Sequence, residues 1–483
     1  MKACVAVAEK DVNEAVRSCL AAQERGADLV EVRFDLMDHL PEDLAPFKQV
    51  KVPKIATLRT ADQGGRCALD DEARLRFFRR VVRGGFEHID LEVSSSLMRR
   101  ADHDLRGANV IASYHDFEKT PKVSKIVETL VSVASHGRLV KAAFMVRSVS
   151  DLHDLVSAAK LFSQTQHKFI LLGMGELGEV TRLLSDRMGC EFTYAALERG
   201  KETAPGQMDI ATLKGLGQKP IITGLTGQPL GHSYSAKMHD AAFEALGIPG
   251  RYLKFPCSEE ELGQLMSVMR DLGINGMNVT IPHKESVMEH LDEVDPTAKN
   301  VGAVNVIVNK DGRLIGRNTD VTGLAAAFGA AGADVRGKRA LVIGAGGAAR
   351  AFCSFLRDQK ADIWITNRTI SRAEEVAEDF SAQTIGHGEA ASERFDAVIN
   401  CTPLGMAGFP HELPIDPRVF RPGQVVMDAI YNPRITPFLA EAGARGAKTI
   451  SGMEMLIYQA MDAFEAWTGQ RPAYEVMSGA AGQ

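Results

Sequence analysis

Two lysines in this sequence stand among residues that give an amine chemical work. In Leu139-Val140-Lys141-Ala142-Ala143-Phe144 a single ammonium occupies an otherwise apolar strand. Left unpaired there, it would shed its proton and offer a free amine as nucleophile for a carbonyl. A lysine at a strand edge that snorkels into solvent fits the same string. His115, at the end of the neighbouring strand, favours catalysis, because an imidazole can move protons to and from an imine near pH 7. In the second half, Lys284 of Asn278-Val279-Thr280-Ile281-Pro282-His283-Lys284 and Asp320 of Asn318-Thr319-Asp320 would, if close, form a charged pair. Such a pair can deliver a proton to a ketone oxygen as hydride reaches the carbon. Spacing alone leaves an ordinary surface ion pair open.

These groups need scaffolds. Candidate strands at Cys4 to Val7, Leu29 to Arg33, Lys54 to Leu58, His88 to Glu92, Val110 to Ser113, Leu139 to Phe144, Phe169 to Gly173 and Phe192 to Ala196 alternate with segments of helical period such as Val12 to Arg25 and Leu152 to Phe162. About eight βα units close a (β/α)8 barrel of the triosephosphate-isomerase type, whose active-site mouth collects the C-terminal strand ends. Charge is concentrated at those ends: Glu31, Arg33, Arg59, Asp90, Glu92, His115 and, after the seventh strand, Arg182. The pattern stops at Met208 to Pro220, which places a boundary near Gly217.

Beyond it, the apolar run Arg339 to Ile343 leads into Gly344-Ala345-Gly346-Gly347-Ala348-Ala349 and then a helix. A strand, glycine turn and helix in that order let backbone N–H groups approach a pyrophosphate, as in a Rossmann fold. The next strand, Ile363 to Thr366, ends in Asn367-Arg368-Thr369, where an NAD-binding fold presents an acidic residue to the ribose; an arginine there indicates NADP. Taken alone, Arg368 is an exposed residue at a helix start. The half divides into a substrate lobe over 218–323, a nucleotide lobe over 324–449 and a helical return over 450–483. Overall the chain is α/β.

Composition narrows the partners. The 483 residues suggest about three domains, and 56 Lys+Arg against 62 Asp+Glu leave a net charge of -6, so no general field draws in nucleic acid or anionic membrane. Seven scattered cysteines, none in CxxC or at ligand spacing beside histidine, read as reduced thiols without a metal. The first residues run directly into a strand with no leader, and no apolar run approaches the ~20 residues of a membrane span. The expectation is a cytoplasmic protein acting on small polar molecules.

Val30-Glu31-Val32-Arg33, Ser113-Tyr114-His115-Asp116-Phe117, Lys141, Met174-Gly175 with Arg182, and Ala204-Pro205-Gly206-Gln207 together resemble type I 3-dehydroquinate dehydratase over nearly all of residues 1–215. The resemblance implies that Lys141 forms a Schiff base with the substrate ketone and His115 acts as base and later acid. It also implies that Glu31, Arg33, Arg59, Arg182, Thr203 and Gln207 surround the substrate, with Arg182 forking onto its carboxylate. The sequence departs from the family at Gln63, where a glutamate is expected, and at Thr203, where serine is frequent.

Gly231-His232-Ser233-Tyr234-Ser235, the Asn278 to Lys284 string, Asn305 and Asn318-Thr319-Asp320 offer neutral groups suited to a polyhydroxylated ring, although singly each is an ordinary turn or cap residue. With Asn400 to Met406, Asp428 to Pro433 and Gly452 through Ala460, they resemble shikimate dehydrogenase over 220–478. The resemblance implies that Lys284 and Asp320 are the catalytic pair and that Ser233, Ser235, Thr280, Asn305, Tyr431 and Gln459 lie around the substrate. His232 and His283 receive no role. Since 3-dehydroshikimate is the product of the first reaction and the substrate of the second, the chain as a whole resembles the bifunctional dehydratase–dehydrogenase family. A Schiff-base aldolase first half, a quinate dehydrogenase second half, or one catalytically silent half are the alternatives.

Overall fold

The computed structural model describes residues 1–134, 139–231 and 233–482; His232 lies outside the described residues. They form two compact units, residues 1–220 with 263–273, and residues 221–262 with 274–483.

In the first unit Val-, Ile- and Ala-rich segments that bury both faces become parallel strands, and the intervening amphipathic segments become helices. The strands are Ala3–Val7, Leu29–Arg33, Lys54–Thr57, His88–Glu92, Asn109–Asp116, Leu139–Met145, Lys168–Met174 and Thr193–Ala195. The first seven lie in chain order, each hydrogen-bonded to the next, and the eighth pairs with the first. Among the described residues no ladder joins the seventh to the eighth, so the barrel is nearly closed. The fifth strand continues to Asp116, which puts His115 inside it rather than after it. The helices start where the sequence caps them: Asp11 accepts from Glu14 N before Val12–Glu24, and Ser148 and Asp151 form a capping box before Val149–Phe162.

Alternation sets the barrel's inner face. Leu29, Ile55, Ile111 and Leu139 belong to an apolar cluster that also takes in Cys4, Ile170 and Phe192. Two residues further along the same strands lie Glu31, Thr57, Ser113 and Lys141. With a period of two, these side chains return to the same face one step nearer the mouth. Lys141 therefore stands on an apolar floor within a polar layer.

The second unit contains two sheets. The first has the order Gly250–Pro256, Ile221–Gly227, Gly276–Val279, Val306–Lys310, Arg313–Arg317, Glu293–Val294, with Val306–Lys310 antiparallel to both neighbours. The second is wholly parallel in the order Gln383–Thr384, Asp362–Thr366, Arg339–Ile343, Ala397–Asn400, Val425–Asp428, Lys448–Ile450. Its order reverses between Arg339–Ile343 and Ala397–Asn400, the switch point at which such sheets bind ligands. Helix Asp320–Ala330 runs across residues 323 and 324, where the sequence divides the lobes. It packs on helix Gly452–Thr468 through Gly323, where a Cβ would meet the Gln459 backbone N at 3.0 Å. That long helix returns to the first sheet, where Trp467 Nε1 donates to Ile307 O at 2.9 Å.

Candidate active sites

The polar layer of the barrel is an ionic cluster in which every charge has a partner. The Lys141 Nζ lies 2.9 Å from Asp90 Oδ2 and 3.5 Å from Glu31 Oε1. It also donates to Tyr194 Oη at 3.0 Å. An unpaired ammonium was the expectation; the structure corrects it, because the inward residues of the second, fourth and eighth strands converge on Nζ. On the opposite side of Asp90, Arg59 Nη2 approaches Oδ1 at 2.9 Å while Arg59 Nη1 donates to Ser113 Oγ at 2.7 Å. Arg74, from helix Asp71–Arg83, closes the cluster on Glu92. All of these are buried.

Each charge shapes its neighbours. Burial alone would raise the Asp90 carboxyl, yet Arg59 and then Lys141 pull it far below the usual carboxylate range. Desolvation, followed by the positive charges of Arg59 and Lys141, holds the His115 imidazole well below its ordinary value, so it is a neutral base near pH 7. Among the described residues its Nδ1 has no hydrogen-bond partner. Gln63 contributes at the backbone: its Oε1 accepts the His115 N–H at 2.8 Å.

The remaining residues predicted for this half are distributed around that centre. Arg33 is engaged by Asp35 in a two-pronged pair at 2.9 and 2.8 Å. Thr203 and Gln207 bond to each other, Thr203 N donating to Gln207 Oε1 at 2.8 Å. Their loop is held down at Gly206, with φ of 77°, where a Cβ would strike Gly175 O at 2.4 Å. Arg182 is the exception to the pairing. It is 2% exposed, its Nε has no hydrogen-bond partner, and it forms no ion pair among the described residues. Burial lowers it to about 10. A buried guanidinium with no ion pair among the described residues, on the segment that follows the seventh strand, is suited to a substrate carboxylate.

In the second unit, Lys284 Nζ lies 2.6 Å from Asp320 Oδ2. Asn305 Nδ2 holds Asp320 Oδ1 at 2.8 Å and reaches Gln459 Oε1 at 3.3 Å, so four predicted residues meet. Ser233 and Ser235 pair Oγ to Oγ at 3.1 Å, and Tyr431 packs edge-on against the intervening Tyr234 at 5.9 Å. Thr280 follows strand Gly276–Val279 and is tied to the neighbouring strand Ile221–Gly227 through Thr280 N donating to Thr226 O at 2.9 Å. His283 is buried with Nε2 2.7 Å from Cys257 O, a structural contact.

The glycine loop fits a dinucleotide. Gly344 adopts φ of 114°, and a Cβ there would come within 3.2 Å of the Cys401 backbone. Gly346 caps helix Gly347–Asp358, has nothing within 4 Å of its Cβ position, and no acidic residue follows in the first turn. Backbone N–H groups, Ala348 included, are thus open to an anion. A Cβ on Gly347 would lie 3.3 Å from Lys284 Cδ, so the loop and the Lys284–Asp320 pair adjoin. After strand Asp362–Thr366, Asn367 Nδ2 donates to Thr369 O at 2.9 Å, while Arg368 is exposed and forms no ion pair among the described residues.

Sequence reasoning missed Tyr194 and Arg74, and it noted Asp90 and Glu92 only as strand-end charges. The available signal was alternation: Tyr194 shares the inward parity of its strand with Phe192.

Comparison with known proteins places these sites in context. Residues 3–217 match the type I 3-dehydroquinase family. Residues 225–307 match the shikimate dehydrogenase substrate binding domain, 327–404 shikimate/quinate 5-dehydrogenase, and 452–481 the shikimate 5'-dehydrogenase C-terminal domain. A chloroplastic bifunctional 3-dehydroquinate dehydratase/shikimate dehydrogenase of Arabidopsis thaliana is 32% identical, covering 96% of this chain and 82% of its own. A shikimate dehydrogenase (NADP(+)) of Geobacillus kaustophilus is 43% identical over 52% of this chain and 94% of its own. The crystal structure of Thermus thermophilus shikimate 5-dehydrogenase with NADP(H) and shikimate superposes with a TM-score of 0.51 at 36% identity, covering 54% of this chain and 98% of that one. Among the described residues, no helix is long and apolar enough to cross a membrane.

Proposed function

Because the chain belongs to the family of bifunctional 3-dehydroquinate dehydratase/shikimate dehydrogenases, we propose that each of its two clusters carries out one of the two reactions. Residues 1–217 dehydrate 3-dehydroquinate; residues 218–323, 324–449 and 450–483 form the substrate lobe, the NADP lobe and the helical return that reduce the product to shikimate. The observation that carries this reading is the pairing of each reactive lysine with an aspartate, Lys141 with Asp90 at 2.9 Å and Lys284 with Asp320 at 2.6 Å, each in its own scaffold.

In the barrel, Arg182 binds the substrate carboxylate, and Glu31, Arg33, Arg59, Thr203 and Gln207 hold its remaining polar groups. Lys141 gives a proton to Glu31 and attacks the ketone. Loss of water leaves an iminium, which acidifies the neighbouring C–H. Neutral His115 removes that proton, and the hydroxyl β to the former carbonyl leaves as water, protonated by the imidazolium. Hydrolysis then frees Lys141.

In the second unit, Ser233, Ser235, Thr280, Asn305, Tyr431 and Gln459 hold the ring of 3-dehydroshikimate. NADPH, when bound, supplies the hydride. Gly344, Gly346, Gly347 and Ala348 take its pyrophosphate, and Asn367, Arg368 and Thr369 take the ribose phosphate. Lys284 donates the proton to the carbonyl oxygen, and Asp320, fixed by Asn305, orients the ammonium. The partners are these small molecules. Seven free cysteines support a reducing compartment, and we assign the cytoplasm.

The test is an assay containing 3-dehydroquinate and NADPH, followed at the nicotinamide absorbance. Signal loss requires both sites, and Lys141→Ala or Lys284→Ala should each abolish it. Consumption of 3-dehydroshikimate but not 3-dehydroquinate would overturn the first assignment; preference for quinate with NAD would overturn the second.

A further inference from the structure

Making an imine from an amine and a ketone poses a proton problem. When the neutral amine attacks, nitrogen becomes positive and oxygen negative, and direct transfer between them passes through a strained four-membered ring. A hydroxyl beside the nitrogen, able to give one proton and take another, relieves this.

The barrel holds such a hydroxyl. Tyr194 Oη accepts from Lys141 Nζ at 3.0 Å, and Nζ lies 4.2 Å from the centroid of the Tyr194 ring. Accepting from Nζ leaves the phenol its own proton to give. Tyr194 is buried, and Phe192 packs on its ring at 5.6 Å, so the hydroxyl is fixed. Burial, then the charge of Glu31, raises the phenol well above its usual value, which keeps it protonated between turnovers. Of the other groups around Nζ, Asp90 is held far below the usual carboxylate range, which leaves Glu31, 3.5 Å away, to take its first proton.

We propose that Tyr194 is a further catalytic residue of the dehydration, relaying a proton between Lys141 Nζ and the substrate's ketone oxygen. As the C–N bond forms and the C=O π bond breaks, the phenol proton passes to the alkoxide and an N–H proton passes to the phenol oxygen. The products are a neutral carbinolamine and an unchanged tyrosine. In the next step the phenol protonates the departing hydroxyl, which leaves as water as C=N forms. The phenolate recovers a proton from Glu31, and Glu31 takes one back when water adds to the product iminium and returns it to Lys141 on release, so protons balance over the cycle.

This inference rests on Lys141 being the Schiff-base lysine. The experiment compares the full chain with Tyr194→Phe, which retains the ring and its packing. Borohydride quenching at millisecond intervals reads the rate of adduct formation on the Lys141 peptide. Substrate deuterated at the carbon that loses its proton reads the later step. Adduct formation in Tyr194→Phe should slow by about 100-fold, the lower end of what a positioned proton donor contributes. The deuterium effect on kcat should shrink toward unity, because imine formation has become limiting; a purely structural change would not produce that split. Reduction of 3-dehydroshikimate by the same preparation checks that the chain is folded. Unchanged adduct kinetics in Tyr194→Phe would overturn the relay alone, whereas absence of any adduct on Lys141 in the unsubstituted protein would overturn the underlying assignment.

Discussion

Asn305 and Asp320 are joined by a hydrogen bond of 2.8 Å that occupies Oδ1 and leaves Oδ2 to Lys284 at 2.6 Å. The carboxylate is thereby fixed on one side and ionically engaged on the other, so the ammonium points in one direction. Lys284→Met removes the proton donor and should lower kcat for 3-dehydroshikimate reduction by about 10²- to 10⁴-fold. Dehydration of 3-dehydroquinate by the same protein should persist, so 3-dehydroshikimate should accumulate. Retained reduction would show that the proton comes from elsewhere.

Cofactor choice turns on Arg368, an exposed side chain with no ion pair among the described residues. Arg368→Gln removes one charge-assisted contact to a ribose phosphate, and solvent screening limits the loss to about tenfold in KM for NADPH. KM for NADH, which lacks that phosphate, should not change. Equal effects on the two cofactors would remove Arg368 from phosphate recognition.

Much of this was legible in the sequence, and the exceptions share one cause. Period-two alternation and glycine punctuation locate the strands and the nucleotide loop, because both are local consequences of backbone geometry. Lys141 as a residue of interest is legible for the same reason. Its partners are not: Asp90 and Tyr194 come from strands 51 and 53 residues away. Only the shear of a nearly closed barrel brings them to Nζ. An unpaired lysine was therefore the natural expectation from one strand and the wrong one for eight. The His283–Cys257 contact likewise joins residues 26 positions apart.

His115 gives the dehydratase a distinctive response to acid. Desolvation, Arg59 and Lys141 hold the folded imidazole below the roughly 6.5 of an unfolded one. The acid limb of kcat/KM for dehydration, which reports the free enzyme, should therefore fall below about pH 6.5. Stability follows from the same shift: the unfolded chain binds this proton first, so the contribution of His115 is intact above about pH 6.5 and is lost as pH falls toward the folded value. His115→Gln should remove that part of the pH dependence in denaturant titrations. An acid limb at or above the free imidazole value would contradict the environment described.

Arg182 separates binding from stability. Its guanidinium is 2% exposed and lowered to about 10 by burial, with no ion pair among the described residues to offset desolvation. A protein selected for stability alone would gain by replacing it, because an unpaired buried charge is costly. Arg182→Met should therefore raise KM for 3-dehydroquinate by about 10- to 100-fold, equivalent to roughly 1.5–3 kcal/mol of charge-assisted hydrogen bonding. Its denaturant midpoint, measured without substrate, should stay level or rise. Substrate should stabilise the unsubstituted protein against denaturant more than it stabilises the variant, since only the former has the cation that the carboxylate neutralises. A variant that unfolds more readily while KM is unchanged would make Arg182 a structural residue and leave the substrate carboxylate without its proposed partner.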